Sequence, residues 1–292
     1  MTDVAEQPVT ADEREVTSES ARYNAHVSRR VDLTESLSFF WVQFDGQPVD
    51  FEPGQYLTIG VESGGKLIQR PYSIASSARE TADGYEYYVR LVTGGVFTPL
   101  LWRLKVGHGM SMKGPKGKFV LEPNDDRTHL FISSGTGVAP FISMMKTLLY
   151  DDAPRRAVIL HGASYEHDLG YRELLEAWHS EGTYPLTYVP TLSRPGSAEN
   201  SRWPGRVGRV EAIVAPVCEE MGLTADNSIA YICGNPDMIN AVDQTLLDRG
   251  FPEDQVRKEL YWPRGKEPRG AAVAAGAGAR PATNPVRDEV EE

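Results

Sequence analysis

Apolar and polar positions along this chain follow two different rhythms. Between residues 23 and 121, apolar residues fall in short or alternating runs at 23–31, 37–43, 55–61, 69–75, 85–92 and 118–121. Alternation of this length marks a half-buried strand. Turn chemistry separates the runs at Asp45-Gly46, Pro53-Gly54, Gly64-Gly65 and Asp83-Gly84. Six strands so spaced predict a small antiparallel β-barrel, interrupted by one helical segment at 97–104, where apolar residues recur at helical intervals.

After Pro123 the rhythm changes. Strand-like runs at 128–134, 157–163, 186–192, 228–233 and 259–262 alternate with helical spacing at 138–150, 169–180, 207–221 and 237–248. Such alternation predicts an α/β domain with a five-stranded parallel sheet, helices on both faces, and ligands at the carboxyl ends of the strands. Two stretches lack either rhythm. Residues 1–20 are acidic and read as a disordered or loosely attached tail, and 263–292, rich in Ala, Gly, Pro and Arg, reads as a flexible extension. The expected domains are therefore 21–122 and 123–262.

Composition narrows the function. A chain of 292 residues, 40% hydrophobic, suits two medium domains. The net charge of -11 argues against nucleic-acid binding, which needs a basic surface. Cys218 and Cys233 are the only cysteines, too few for a disulfide framework or an iron–sulfur cluster. Redox chemistry here would use an organic cofactor or another kind of metal site, and no His-rich metal pattern occurs. No apolar run reaches membrane-spanning length and the start is polar, so a cytoplasmic location is expected.

Three strand-end motifs in the second half carry candidate chemistry. Ser134-Gly135-Thr136-Gly137-Val138-Ala139-Pro140 links the first strand to the first helix, where glycines let a pyrophosphate approach free N–H groups. A plain connecting turn would look the same, and Pro140 stands where the dinucleotide fingerprint has its third glycine. Cys233-Gly234-Asn235-Pro236-Asp237 ends the fourth strand and restarts the chain as a helix, so the thiol faces the crevice or simply completes the strand. Ser193-Arg194, with Arg202, Arg206 and Arg209, suits a phosphate monoester such as that of NADPH, or forms a solvated basic loop. No P-loop and no serine-nucleophile elbow occurs, so a hydrolase has no support. In the first half, Arg70-Pro71-Tyr72-Ser73 puts Arg70 and Tyr72 on one side of a strand. An anion and a flat ring system could be gripped there together, beside a hydroxyl donor.

Arg70-Pro71-Tyr72-Ser73, Gly94-Gly95 followed by Thr98, Gly135 to Pro140, Cys233-Gly234-Asn235-Pro236 and Glu259-Leu260-Tyr261-Trp262 stand in the order seen in the ferredoxin–NADP reductase family. From about residue 23 to 262 the chain resembles the bacterial ferredoxin/flavodoxin–NADP reductases. That resemblance implies a barrel holding non-covalent FAD and an α/β domain holding NADP(H). Arg70, with Pro71 beside it, would bind the FAD pyrophosphate, Tyr72 would stack on the isoalloxazine, and Ser73 would hydrogen-bond near N5. Gly95 and Thr98 would hold the FAD phosphates. Gly135, Thr136 and Gly137 would bind the NADP pyrophosphate, and Asn235, Pro236 and Asp237 would line the same site. Ser193, Arg194 and Arg206 would grip the ribose phosphate. Cys233 would sit beside the nicotinamide C4, Glu259 would order the nicotinamide and relay protons, and Tyr261 and Trp262 would cover the flavin or stack on its adenine.

The implied activity is hydride transfer between NADP(H) and FAD N5, with single electrons exchanged with ferredoxin or flavodoxin. A monomer is expected, with NADPH favoured over NADH, although many relatives have an arginine where this chain has Ser164. Lys105, Lys113, Lys116 and Lys118 lie in a stretch with no acid from 105 to 121, which either docks an acidic partner or forms a solvated rim. Competing readings are the reductase component of an oxygenase, a flavin reductase, or a non-catalytic nucleotide-sensing or electron-transfer subunit. The extension after Trp262 departs from the bacterial relatives, whose chains end near those aromatics.

Overall fold

The computed structural model describes residues 15–261. Its first half contains β1 (Ala25–Thr34), β2 (Leu37–Phe44), β3 (Tyr56–Ser63), β4 (Lys66–Ser73), β5 (Tyr85–Arg90), the short helix α1 (Thr98–Trp102) and β6 (Gly109–Lys116). The strands form one antiparallel sheet in the order β4-β3-β6-β1-β2-β5. Its edges meet where the Ala75 N–H donates to the Glu86 carbonyl at 2.8 Å, just beyond β4. All six strands send side chains into one core, among them Val27, Phe40, Ile59, Tyr87 and Met112, with Ile68 and Tyr72 of β4 packed against it.

The sixth strand is not where alternation placed it. It runs through Gly109–Lys116, whereas 118–121 forms no strand, and Phe119 packs instead into the core beneath the second domain. Gly109, Gly114 and Pro115 make this stretch look like a turn, and only Met110 and Met112 mark its buried face. The proposed N-terminal tail also needs correction in its last part. Residues 15–20 are tied to the barrel: Val16 bridges Ser63, the Thr17 N–H donates to the Glu62 carbonyl at 3.0 Å, and Ser20 donates to the Glu62 carboxylate at 2.6 Å.

The second half contains β7 (Thr128–Ser134), α2 (Ala139–Tyr150), β8 (Ala157–Ala163), α3 (Arg172–Ser180), β9 (Leu186–Leu192), β10 (Arg206–Val207), α4 (Val210–Glu220), β11 (Ser228–Gly234), α5 (Pro236–Asp248) and β12 (Val256–Leu260). The sheet is parallel, in the order β10-β9-β8-β7-β11-β12. It therefore has six strands rather than five. β10, two residues long, is too short to show any alternation. The last strand begins and ends earlier than expected, at Val256–Leu260. Leu130 and Ile132 of β7 face α4 and α5, while Phe131 faces α2, α3 and the barrel. The chain leaves β7 toward β8 on one side and returns to β11 on the other, which opens a crevice between the carboxyl ends of β7 and β11.

The domains share a core. Phe39 and Tyr88 of the barrel meet Tyr171, with ring centroids 4.8 and 5.1 Å from it. Glu86 of β5, buried in this seam, accepts hydrogen bonds from Lys146 of α2 at 2.6 Å and from the Tyr171 hydroxyl at 2.7 Å.

Candidate flavin and nicotinamide site

The crevice between β7 and β11 opens against the end of β4, and there the two domains bring distant residues together. Ser73, the last residue of β4, donates from Oγ to Oε2 of Glu259 on β12 at 3.3 Å. Glu259 stands in register with Cys233 on the neighbouring β11. Burial pushes the Glu259 carboxyl up to about 7, partly opposed by the hydrogen bond from Ser73. Burial also raises the fully buried Cys233 thiol well above its ordinary range, and the charge of Glu259 raises it further. The Tyr261 hydroxyl, which also interacts with the Cys233 side chain, donates to the Thr136 carbonyl at 2.5 Å. Ser73, Cys233, Glu259, Tyr261 and Thr136 thus form one continuous cluster.

Thr136 lies in a tight turn, Gly135–Val138, that leads directly into α2. No side chain caps the turn or the helix. At Gly137 a Cβ would lie 2.3 Å from the Cys233 carbonyl, so glycine is what lets the loop after β7 press against the end of β11. Asn235 serves its own helix: its Oδ1 accepts from the Asp237 N–H at 2.8 Å, Pro236 begins α5, and Asp237 complements the helix start.

On the barrel side, the Tyr72 ring is half-buried between Phe97 and Tyr87, with centroids 5.8 and 6.4 Å away, and burial raises its phenol. Pro71 and Arg70 are exposed. The Arg70 guanidinium reaches only the Gln69 carbonyl, at 2.7 Å, and makes no ion pair among the described residues. Thr98 turns inward, accepting from the Val92 N–H at 2.9 Å, and the Gly95 N–H donates to the Val92 carbonyl at 2.8 Å. The hydroxyl therefore shapes the loop, and the start of α1 carries no side-chain cap. An unpaired guanidinium beside a half-buried ring has the chemistry to take an anion together with a flat ring system.

These two sites match known domain families. Residues 24–121 match the family model described as an oxidoreductase FAD-binding domain, and residues 131–244 match the oxidoreductase NAD-binding domain. The ferredoxin–NADP reductase B of Sorangium cellulosum is 34% identical over 220 residues, covering 74% of this chain and 88% of that protein. The chain belongs to the ferredoxin–NADP reductase family. It is an oxidoreductase with one FAD-binding and one NAD(P)-binding domain. The reductase component of a phenol 2-monooxygenase from a Pseudomonas species is 31% identical over 82% of this chain, which spans only 65% of that relative's length. A ferredoxin NADP+ reductase structure from Neisseria gonorrhoeae superposes with a TM-score of 0.70 at 23% identity, covering 83% of this chain and all of that one, a likeness of fold.

Within this reductase fold, the residues expected at the ribose phosphate are not gathered into one free cluster. Ser193 is half-buried at the end of β9. The Arg194 guanidinium lies 5.1 Å from the Tyr165 ring and bonds its hydroxyl, and Tyr165 stacks on His167. Arg206 is engaged by Glu220 of α4. Sequence reasoning missed Asn200, whose side chain bonds the Ser164 and Arg194 carbonyls, both at 2.9 Å, and so joins the loops after β8 and β9. It also missed His161 and Glu86, since a lone polar residue inside an apolar strand leaves no local signal. Trp262 lies outside the described residues, as do 1–14 and the extension 263–292. Among the described residues, no helix is long and apolar enough to cross a membrane and no group of three or more His, Cys, Asp or Glu could hold a metal ion.

Proposed function

We propose that this chain accepts hydride from NADPH onto FAD and passes the electrons singly to a ferredoxin or flavodoxin. The observation that carries the reading is the approach of Ser73 to Glu259 beside Cys233, a barrel residue meeting two sheet residues across the domain seam. FAD supplies the conversion between two-electron and one-electron transfer. The protein's contribution is to position, desolvate and hold a proton. In this reading Arg70 binds the flavin pyrophosphate and Tyr72 packs against its ring. The turn at 135–138 receives the nicotinamide dinucleotide's pyrophosphate, and Cys233 borders the nicotinamide. Glu259, with a carboxyl near 7, can hold a proton against the Ser73 hydroxyl at neutral pH. Tyr261, bound to Thr136 and against Cys233, occupies the nicotinamide's place and moves aside at each turnover.

Coenzyme choice rests on Ser193 and Arg194, with Arg206 having to exchange Glu220 for a ribose phosphate. Anaerobic mixing of the FAD-loaded protein with NADPH or NADH tests the reading. Rapid, saturable bleaching with a higher efficiency for NADPH is expected; a protein that neither coenzyme bleaches would exclude a reductase. A second reading, service to an oxygenase, is favoured by the 31% identity to the phenol 2-monooxygenase reductase component. Reoxidation of the reduced protein by candidate ferredoxins and flavodoxin separates the two.

A further inference from the structure

His161 is a buried side chain at the site that the mechanism above does not use. It lies on β8 with no solvent exposure, in register with Ser133, one residue before the β7 strand gives way to the Gly135–Val138 turn. Its Nε2 is 2.8 Å from the Gly135 carbonyl, and its Nδ1 is 3.3 Å from the Tyr188 hydroxyl. A carbonyl only accepts, so Nε2 carries the hydrogen, and Nδ1 is left to accept from Tyr188. Burial lowers the imidazole to about 4, so the ring is neutral at ordinary pH, as this pattern requires.

The next carbonyl along the chain, that of Thr136, accepts from the Tyr261 hydroxyl as well as from the Ala139 backbone N–H. Two successive carbonyls of the turn are therefore held by side chains from distant parts of the chain, one on β8 and one just past the end of β12. Gly135 takes a positive φ of 54°, and space around its missing Cβ is open, so local packing does not lock this peptide. In the reading proposed above, Tyr261 is the side-chain hold that opens when the nicotinamide enters. His161, embedded in the sheet, is the hold that stays.

We propose that His161 is a positioning residue for coenzyme binding: its Nε2–H fixes the Gly135 peptide so that the 135–138 turn keeps its anion-binding shape while Tyr261 is displaced. The inference rests on the reading that this turn receives the coenzyme's pyrophosphate. It gives a residue outside the glycine motif a role in affinity for the dinucleotide and none in the hydride step.

The test is anaerobic stopped-flow reduction of the FAD-loaded full chain by NADPH and, in parallel, by N-benzyl dihydronicotinamide, a hydride donor with no phosphate. For His161→Phe, loss of one buried hydrogen bond raises the apparent Kd for NADPH about tenfold. The limiting rate and the rate with the phosphate-free donor stay within about twofold of the parent. His161→Gln, whose amide can donate to the same carbonyl, recovers affinity to within about threefold. An unchanged Kd in His161→Phe, or equal losses with both donors, would overturn the proposal. Should His161→Phe fail to retain FAD, His161→Asn, too short to reach Gly135, replaces it with the same outcomes. If the parent protein shows no saturable reduction by either coenzyme, the functional reading itself falls, a result distinct from failure of the histidine's role.

Discussion

Glu259 shows how one residue's surroundings set its chemistry. Its carboxyl titrates near 7 in the fold because burial disfavours the charged form. Between the ordinary glutamate range and that value, the folded protein binds a proton the unfolded chain has released. Stability from this group is therefore full at acid pH and declines as pH rises through about 7. Relative to Glu259→Gln, the parent should lose on the order of 1 to 2 kcal/mol between about pH 5 and pH 8, allowing for screening. Urea unfolding of both proteins at the two pH values measures the difference, and parallel pH profiles would contradict it. Ser73 and Cys233 were legible as strand-end residues within motifs, and Glu259 only through the family resemblance. Their meeting was not, since Ser73 and Glu259 are 186 positions apart.

At the scale of elements, the loop after β7 is defined by what it touches. Gly137 has no room for a Cβ, because the Cys233 backbone stands 2.3 Å from where it would be. Gly137→Ala should force β7's loop and β11 apart, costing about 1–3 kcal/mol, and should weaken coenzyme binding more than it weakens FAD binding. Thermal unfolding together with the apparent Kd for NADPH checks both parts. Four strands of the parallel sheet were plain in the sequence: β7, β8 and β11 are buried on both faces, and β9, half-buried through its middle, still stands out as a run rich in apolar residues. β6 and β10 were not. β6 contains glycines and a proline that mimic a turn, and β10 is a two-residue pairing made possible only by its neighbour β9.

Across the whole molecule, the barrel and the sheet are joined through a buried polar contact set into an aromatic seam. Glu86 accepts from Lys146 and Tyr171, so Glu86→Ala leaves a half-buried ammonium and a buried hydroxyl without their acceptor. The expected loss is about 2 kcal/mol, with slower hydride transfer if this seam sets the approach of Ser73 to Glu259. Denaturant unfolding and stopped-flow reduction measure the two effects. On the barrel's rim, Lys105, Lys113, Lys116 and Lys118 are exposed and make no ion pair among the described residues. If they steer an acidic electron partner, replacing them with glutamine should slow electron transfer at low salt and flatten its ionic-strength dependence. An unaltered salt profile would make them a solvated rim.

The sequence by itself determined the two-domain architecture, the strand-end motifs and the family. Periodicity of 2 or 3.6, and glycines where backbone must come close, are written locally in the chain. Only the tertiary structure decided how those motifs act on one another. It put Ser73 against Glu259, Tyr261 on Thr136 and His161 under Gly135, and it committed Arg206 to Glu220. Burial, register and through-space partners raise or lower a pKa and hold or free a carbonyl. None of these is a property of any residue's neighbours along the chain.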